Sequence, residues 1–292
     1  MPTLSVAIPA YNEELNLGPC LDRLLAQTHP IDEIIVVNNW STDRTALIAD
    51  EYASRHPNVR RVDEEIPGVH HARRRGLDEG ASDIIAKVDA DTRVPPDWAE
   101  TGLRFFREIG HDESDFGALT GPILMHDAPR YEKNKRAAQK SFRRLGRGRA
   151  IGSVRGPAYF LRRSAWLAIR DDLNDYDPIW EDLDIGLALK KHGYRIFFDP
   201  ALLADSSCRR FRYAPWRNFR YARGGIATAR AHEDRKITTV MMVDLPFKLA
   251  VYTYLWLLLR PWDPRTRTWR PHRYFLPLAP HISAEIPPPL RP

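Results

Sequence analysis

Ile84-Ile85-Ala86-Lys87-Val88-Asp89-Ala90-Asp91-Thr92 is the stretch whose reading decides the fold: an apolar run that closes on two carboxylates one residue apart. In an extended chain, residues i and i+2 share a face. Asp89 and Asp91 therefore aim at one point just past a strand's end. Two convergent carboxylates repel each other unless a cation or a set of donors lies between them. Hard oxygen ligands suit Mg²⁺ or Mn²⁺, and such a metal commonly bridges to phosphate oxygens. The plain alternative is a solvated Asp-x-Asp turn, so the flanking sequence has to decide.

Upstream, strand-like and helix-like patterns alternate. Leu4 to Ile8 reads as a strand, and Leu17, Cys20, Leu21, Leu24 and Leu25 then recur at helical spacing. Ile34 to Val37 is a short β-branched run, as expected of a strand buried on both faces. Ser41, Thr42 and Asp43 offer capping side chains before Ala46, Leu47, Ala49 and Tyr52. A strand at Val59 to Val62 and a helix near Ala72 to Leu77 complete the rhythm up to Asp89. This alternation predicts an α/β fold, with a mostly parallel sheet and helices on both faces. Ligands in such sheets bind beyond the carboxyl ends of the strands, where the segments after Ile8, Val37 and Val88 all fall.

Further along, residues 132–149 hold eight Lys or Arg and one acidic residue, which reads as a mobile, solvated basic loop. Order resumes with a strand at Gly156 to Leu161 and helices at Ala165 to Ile169 and Glu181 to His192. Gly193 supplies a natural stop to the second helix, and a strand follows at Tyr194 to Phe198. After Pro261 the chain is rich in Pro, Arg and Trp, and a tail that is laid out extended or is partly disordered is expected.

A chain of 292 residues can bury a large core. Its 43% hydrophobic and 28% charged residues are ordinary for a soluble globular protein. The formal charge of +6 favours an anionic partner without choosing among them. Only Cys20 and Cys208 are present, and the first strand-like run begins by Leu4. A reducing cytoplasm is the resulting expectation, with no secretory signal and no disulfide framework.

Four segments thus come in a meaningful order: Ser5-Val6-Ala7-Ile8-Pro9-Ala10-Tyr11-Asn12-Glu13, Ile34 through Asn38-Asn39-Trp40-Ser41-Thr42-Asp43, Gly68 through Arg73 to Gly76, and Asp89-Ala90-Asp91. Together they resemble glycosyltransferase family 2, the inverting transferases of the GT-A fold. The resemblance covers roughly residues 3–100 and resumes around 152–198, where Trp180-Glu181-Asp182-Leu183-Asp184 is similar to the family's downstream acidic motif. It implies a Rossmann-like, mostly parallel sheet flanked by helices. Residues 1–230 would form the catalytic domain, its nucleotide-sugar half about 1–115 and its acceptor half about 116–230. Residues 231–292 would add an apolar helix and a Pro/Arg-rich tail.

The resemblance also implies roles. Pro9, Ala10 and Tyr11 would line a nucleobase pocket. Glu13 would lie near the ribose or base, or would cap a helix, where a first-turn carboxylate is favoured. Where the family usually carries two acids and a glycine, this chain has Asn38, Asn39 and Trp40. The Asn39 amide oxygen would accept the uracil N3 proton more weakly than a carboxylate. UDP is then the first choice of nucleotide, with GDP or TDP open. Arg73 would hold the nucleotide, Arg74 and Arg75 read as surface charge, and His70 and His71 read as solvated. Asp89 and Ala90 would meet the ribose, with Asp89 and Asp91 coordinating Mn²⁺ or Mg²⁺ on the diphosphate. Asp182 would be the general base, with Glu181 beside it contacting sugar or acceptor. First-turn acids suited to the helix dipole are the plainer account of Glu181, Asp182 and Asp184. In place of the family's frequent downstream histidine stands Asp205-Ser206-Ser207-Cys208-Arg209-Arg210, where either arginine suits phosphate geometry.

The expected activity is metal-dependent transfer of a sugar from a nucleotide donor to an acceptor hydroxyl on a sugar, a lipid-linked group or another molecule. Asn38 and Asn39 also permit a catalytically silent nucleotide-sugar-binding protein. A nucleotidyltransferase would need a Gly-rich basic loop after the first strand, and a dehydrogenase a G-x-G-x-x-G, and neither is present. No nucleic-acid recognition motif accompanies the basic charge. Leu245 to Leu259 is apolar and followed by Arg260, Arg265, Arg267 and Arg270. At about 15 residues it is short of the roughly 20 that a membrane span needs. A helix in the membrane interface, at the inner face, and a helix buried on the domain explain it equally well.

Overall fold

Strand and helix alternate through the first third as the apolar spacing predicts. The computed structural model describes residues 2–278 apart from 113, 114, 145 and 147. The opening elements are β1 (Leu4–Ala10), α1 (Leu17–Leu25), β2 (Glu33–Asn38), α2 (Thr45–Arg55), β3 (Val59–Asp63), α3 (Val69–Glu79) and β4 (Ile84–Val88). Next come α4 (Trp98–Asp112), β5 (Phe116–Thr120), β6 (Ile123–Met125), α5 (Tyr131–Arg144), β7 (Arg149–Ile151), β8 (Ala158–Arg162) and α6 (Arg163–Ile169). The chain continues through α7 (Glu181–Lys191), β9 (Arg195–Phe198), β10 (Ala204–Ser206), α8 (Phe219–Ala222) and α9 (Gly224–Ala231). It ends with α10 (Arg235–Leu259), β11 (Trp262–Asp263) and β12 (Thr268–Trp269).

Eight strands form one sheet in the order β3-β2-β1-β4-β8-β5-β9-β7. The first four are mutually parallel, whereas β8 runs antiparallel to both β4 and β5. The halves expected on either side of residue 115 therefore share one sheet, because β8 is inserted between β4 and β5. Chain order reverses between β1 and β4, which opens a crevice at their carboxyl ends. Ile34, Ile35, Val36 and Val37 are fully buried, as a strand covered on both faces requires. On one side α1 seats Leu17, Cys20, Leu21 and Leu24 in the main core, where the Trp98 and Phe160 rings meet at 4.2 Å. On the other side, Trp166, Ile185, Leu189 and Tyr159 form a second cluster beneath α6 and α7.

Two expectations need correction. Residues 131–144 of the basic segment form helix α5 rather than a loop. Glu, Lys, Arg, Ala and Gln favour helix, and Tyr131, Lys135, Ala138 and Phe142 put a half-buried stripe on one face. Asp205 anchors that helix by accepting from Tyr131 Oη at 2.6 Å and Lys135 Nζ at 2.7 Å. Beyond Pro261 the chain is not simply extended, since β11 pairs antiparallel with β12 and a 3-10 turn follows at Pro271–Tyr274. The rest of the expected tail, residues 279–292, lies outside the described residues.

The apolar stretch at 245–259 belongs to a longer helix, α10, in which Leu259 is the one buried residue. It is not the buried helix that one expectation held. Arg212, fully buried, pins the end of α10 by donating to the carbonyls of Leu259 at 2.8 Å and Trp262 at 2.7 Å. Its other terminal nitrogen reaches the Asp127 carbonyl at 3.2 Å.

Close approach of backbone fixes the turn before α7. A Cβ on Gly224 would lie 2.2 Å from the Pro178 carbonyl oxygen and 2.4 Å from the Trp180 ring. Gly224→Ala is expected to destabilise the protein by about 1–3 kcal/mol through overpacking. A lowered urea midpoint with an unchanged slope would register that loss.

Candidate active site

The carboxyl end of β1 is tied to the loop after β2. Pro9 and Ala10 finish the strand, and the Ala10 carbonyl accepts the Asn39 N–H at 2.9 Å. Tyr11 follows, partly exposed, and Asn12 adopts a left-handed backbone with φ 51°. The Asn12 N–H donates to Ser41 Oγ at 3.1 Å, and its side-chain oxygen accepts the Thr42 N–H at 2.8 Å. The Glu13 N–H then donates to Thr45 Oγ1 at 2.7 Å. These bonds hold the Pro9–Glu13 exit at the crevice.

Asn39 does not face that crevice as a free acceptor. It is buried, with its side-chain oxygen accepting the Gly68 N–H at 2.9 Å. Its nitrogen donates to the Glu64 and Ile66 carbonyls at 3.1 and 2.8 Å. The base-contact role expected of Asn39 is thus corrected to holding the 64–68 loop. Gly68 can follow that path because glycine tolerates its φ of +138°. One strand position earlier, the buried Asn38 Oδ1 has no protein partner, although its nitrogen donates to Asp63 at 2.8 Å. Sequence reasoning passed over Asn38. The Trp40 ring is exposed and donates to the Glu65 carbonyl.

Past β4, the two carboxylates take separate cations. Lys87, fully buried within an apolar strand, donates to Asp89 Oδ1 and to the Gly156 carbonyl at 2.6 Å. Burial alone would raise the Asp89 carboxyl, but Lys87 and Arg73 together hold it below the ordinary range. Ala90 is buried between the pair. Asp91 Oδ2 accepts from Arg209 Nε at 3.1 Å and Nη2 at 2.8 Å, a two-pronged contact typical of guanidinium. The same Arg209 reaches Glu13 Oε1 at 2.6 Å, across 196 residues of chain. Burial pushes the Glu13 carboxyl up and Asp91 adds to this, against the pull of Arg209. Of the two arginines offered by the sequence, Arg209 is the one at the carboxylates. Arg210 instead stacks on the Tyr221 ring at 3.9 Å.

The Trp180–Asp184 motif meets this rim from β8 and α7. Glu181 Oε1 accepts from Tyr159 Oη at 2.6 Å, while Oε2 lies 2.9 Å from Arg73 Nε and 3.7 Å from Lys87 Nζ. Lys87 and Tyr159 face each other in the β4–β8 register. One continuous network of charge thus runs from Asp89 through Lys87 to Glu181 and Arg73. Asp182, next in the chain, is partly exposed, and its Oδ1 accepts the Leu183 N–H at 3.0 Å. Burial, then the neighbouring Glu181 charge, raise its carboxyl above the ordinary aspartate value. Trp180 locks the turn by donating to the Tyr221 carbonyl at 2.7 Å, and its N–H donates to Thr228 Oγ1 at 2.8 Å. Asp184 turns the other way. It is buried and bound by Asn174 and by His232 Nε2 at 2.6 Å, a structural role.

Lys87 was legible as a signal, since a lysine in a buried apolar strand must be paired. A divalent cation fits Asp91 and Asp89 in donor chemistry, because both offer hard oxygens at one rim. The fit requires diphosphate oxygens to complete the shell. Among the described residues no group of three or more His, Cys, Asp or Glu could hold a metal ion. Arg209 and Lys87 supply the counter-charge in this arrangement.

Arg209→Ala is expected to destabilise the protein by about 3 kcal/mol at pH 8, because Glu13 and Asp91 are left facing each other unpaired. The carboxyl of Glu13, already raised, would rise further, so the penalty is present above its folded value and fades as pH falls toward the unfolded one. Denaturant midpoints at pH 8 and pH 5 check this, with the larger deficit at pH 8.

The sequence profile described as Glycosyl transferase family 2 matches residues 5–167, more than half of the chain. The uncharacterized glycosyltransferase YibD of Escherichia coli is 40% identical over 98 residues, covering 34% of this chain and 28% of that relative. Beta-monoglucosyldiacylglycerol synthase of Synechocystis is 28% identical over 207 residues, 67% of this chain and 42% of its own. The matches therefore span well under two thirds of these relatives. Among solved structures, the mannosyltransferase PcManGT from Pyrobaculum calidifontis, in complex with GDP-Man and Mn²⁺, superposes with a TM-score of 0.63 at 20% identity. That superposition covers 88% of this chain and 73% of the other. TarS residues 1–349 of S. aureus, in complex with UDP-GlcNAc, superposes at 0.55 with 16% identity, over 86% and 72%. The mostly parallel sheet flanked by helices is the GT-A fold of these neighbours. The chain belongs to glycosyltransferase family 2.

Proposed function

We propose that this chain transfers a sugar from a nucleotide-sugar donor, a UDP-sugar first, to an acceptor hydroxyl with inversion at the anomeric carbon. The observation that carries this reading is Lys87, whose ammonium lies beside both Asp89 of the donor rim and Glu181 of the acceptor motif. Carboxylates from both halves of the chain therefore meet at one buried ammonium, and Asp182 follows Glu181 in the chain.

In this reading Asp182 takes the acceptor proton as the acceptor oxygen bonds to the anomeric carbon, and the bond from that carbon to the diphosphate oxygen breaks on the opposite face. Its raised carboxyl is better matched to a hydroxyl proton than an ordinary aspartate would be. Glu181 is a positioning residue, since Tyr159 holds one of its oxygens and Arg73 lies beside the other as its counter-charge. Pro9, Ala10 and Tyr11 border the base, and Glu13 the ribose side. Arg209 brings a guanidinium to the diphosphate side, and Arg73 lends a second positive charge. A Mn²⁺ or Mg²⁺ ion held by Asp91 and Asp89 would supply neutralisation of the departing diphosphate. GDP-Man and Mn²⁺ in the mannosyltransferase neighbour, and UDP-GlcNAc in TarS, support a nucleotide sugar as donor.

Asp182→Asn is expected to lower transfer by about 10²–10⁴-fold while sparing the thermal shift produced by a nucleotide sugar. Asp91→Ala is expected to remove the Mn²⁺ stimulation of nucleotide release. The rate of the unaltered enzyme should fall as pH drops below the raised value of Asp182, because the base works only when deprotonated. Undiminished transfer by Asp182→Asn would assign the base elsewhere. No metal-stimulated release from the unaltered chain would leave a nucleotide-sugar-binding protein.

A further inference from the structure

Helix α10 runs for 25 residues, about 37 Å at 1.5 Å per residue. Its inward side packs on α8, α9 and the turn Arg209–Arg212. Of the two charges in its middle, Lys248 turns to that side, and Asp244, 39% exposed at the border of the two faces, pairs with it at 2.9 Å. Lys248 Nζ lies 3.9 Å from the centre of the Trp180 ring. The outward side is the opposite in character: between Thr239 and Leu257 it carries no charge apart from Asp244 at its border, which is met by Lys248.

Val240, Val243, Phe247, Val251, Tyr254 and Leu257 are all exposed, with Val243 and Phe247 at 75% and 73%. Their spacing of three and four residues lines them up as one stripe. A helix on a water-facing surface normally places charged residues on that side. Contiguous exposed apolar surface of this extent marks a site of interaction. Among the described residues nothing covers it.

Charge selects the occupant. Exposed Arg235 and Lys236 open the helix, and exposed Arg217, Arg220 and Arg223 lie in and around α8, which packs beside it. Trp216, 72% exposed, meets the Trp256 ring near the other end. An apolar stripe with aromatic residues and a cationic fringe is what a helix lying in a lipid interface presents, and anionic head groups meet that fringe with opposite charge. A second copy would bring the same cations to the contact. By length and composition alone α10 is apolar enough to cross a membrane. Its packing along α8 and α9, with Lys248 turned inward against Trp180, instead lays it in the plane.

We infer that the outward face of α10 docks on a bilayer containing anionic lipid. One consequence rests on the transfer reading given above. The inward side of the same helix carries Tyr252, within electrostatic reach of Asp182, and Lys248 against Trp180. Docking therefore brings the acceptor side of the site within about one helix diameter, 10–12 Å, of the head groups.

Cosedimentation of the full chain with vesicles, without donor or acceptor, tests docking separately from catalysis. Phosphatidylcholine vesicles containing phosphatidylglycerol are expected to carry the protein down, more weakly as salt rises, whereas phosphatidylcholine alone carries down much less. The double variant Val243→Glu, Phe247→Glu is expected to lower the partition about a hundredfold, since each buried large side chain contributes about tenfold or more. Both residues are exposed, so its thermal midpoint and its nucleotide-sugar binding should match those of the unaltered protein. Failure of the unaltered chain to sediment with anionic vesicles overturns the inference, as does equal sedimentation of the double variant. A dimer in solution that the double variant splits would give the face to a second copy instead.

Discussion

One buried ammonium organises the centre of this molecule. Lys87 sits inside the sheet, where an unpaired charge would cost several kcal/mol. It is stable there because Asp89, the Gly156 carbonyl and Glu181 surround it. Each partner comes from a different part of the chain, so folding the lysine in also assembles them. The rim after β4, the loop before β8 and the start of α7 are brought into register by one side chain.

Around that centre the strand order does the remaining work. Reversal between β1 and β4 opens the crevice, and the antiparallel insertion of β8 places Tyr159 opposite Lys87. Tyr159 then fixes Glu181, and Glu181 fixes the first turn of α7 from which Asp182 projects. Arg73 joins from α3 behind the rim, so four elements converge on two acids. The arrangement keeps opposite charges adjacent and in fixed geometry, which is how a site can present ionised groups before any substrate arrives.

Much of the fold could be read directly. The stripe of α1 has a helical period, and the run Ile34–Val37 is too short and too β-branched for a helix. The segment 131–144 misled because its charge drew attention away from four half-buried residues at helical spacing. Asn39 misled for a different reason. Its place was inferred from the family, whereas its direction depends on Gly68 and the 64–68 loop, which no local pattern reveals. The pairing of Glu13, Asp91 and Arg209 was equally hidden, since it joins positions far apart in sequence. The acids themselves were visible because a strand end announces where its last side chains point.

Arg212 carries a consequence for any shortened form of this protein. It shares the turn that bears Arg209, and its guanidinium is satisfied in large part by carbonyls at Leu259 and Trp262. Cutting the chain ahead of Trp262 would strand donors in a dry interior and loosen the turn that aims Arg209 at the carboxylates. A shortened form that keeps this turn in place therefore has to extend past α10, even though every strand of the main sheet is complete by Phe198.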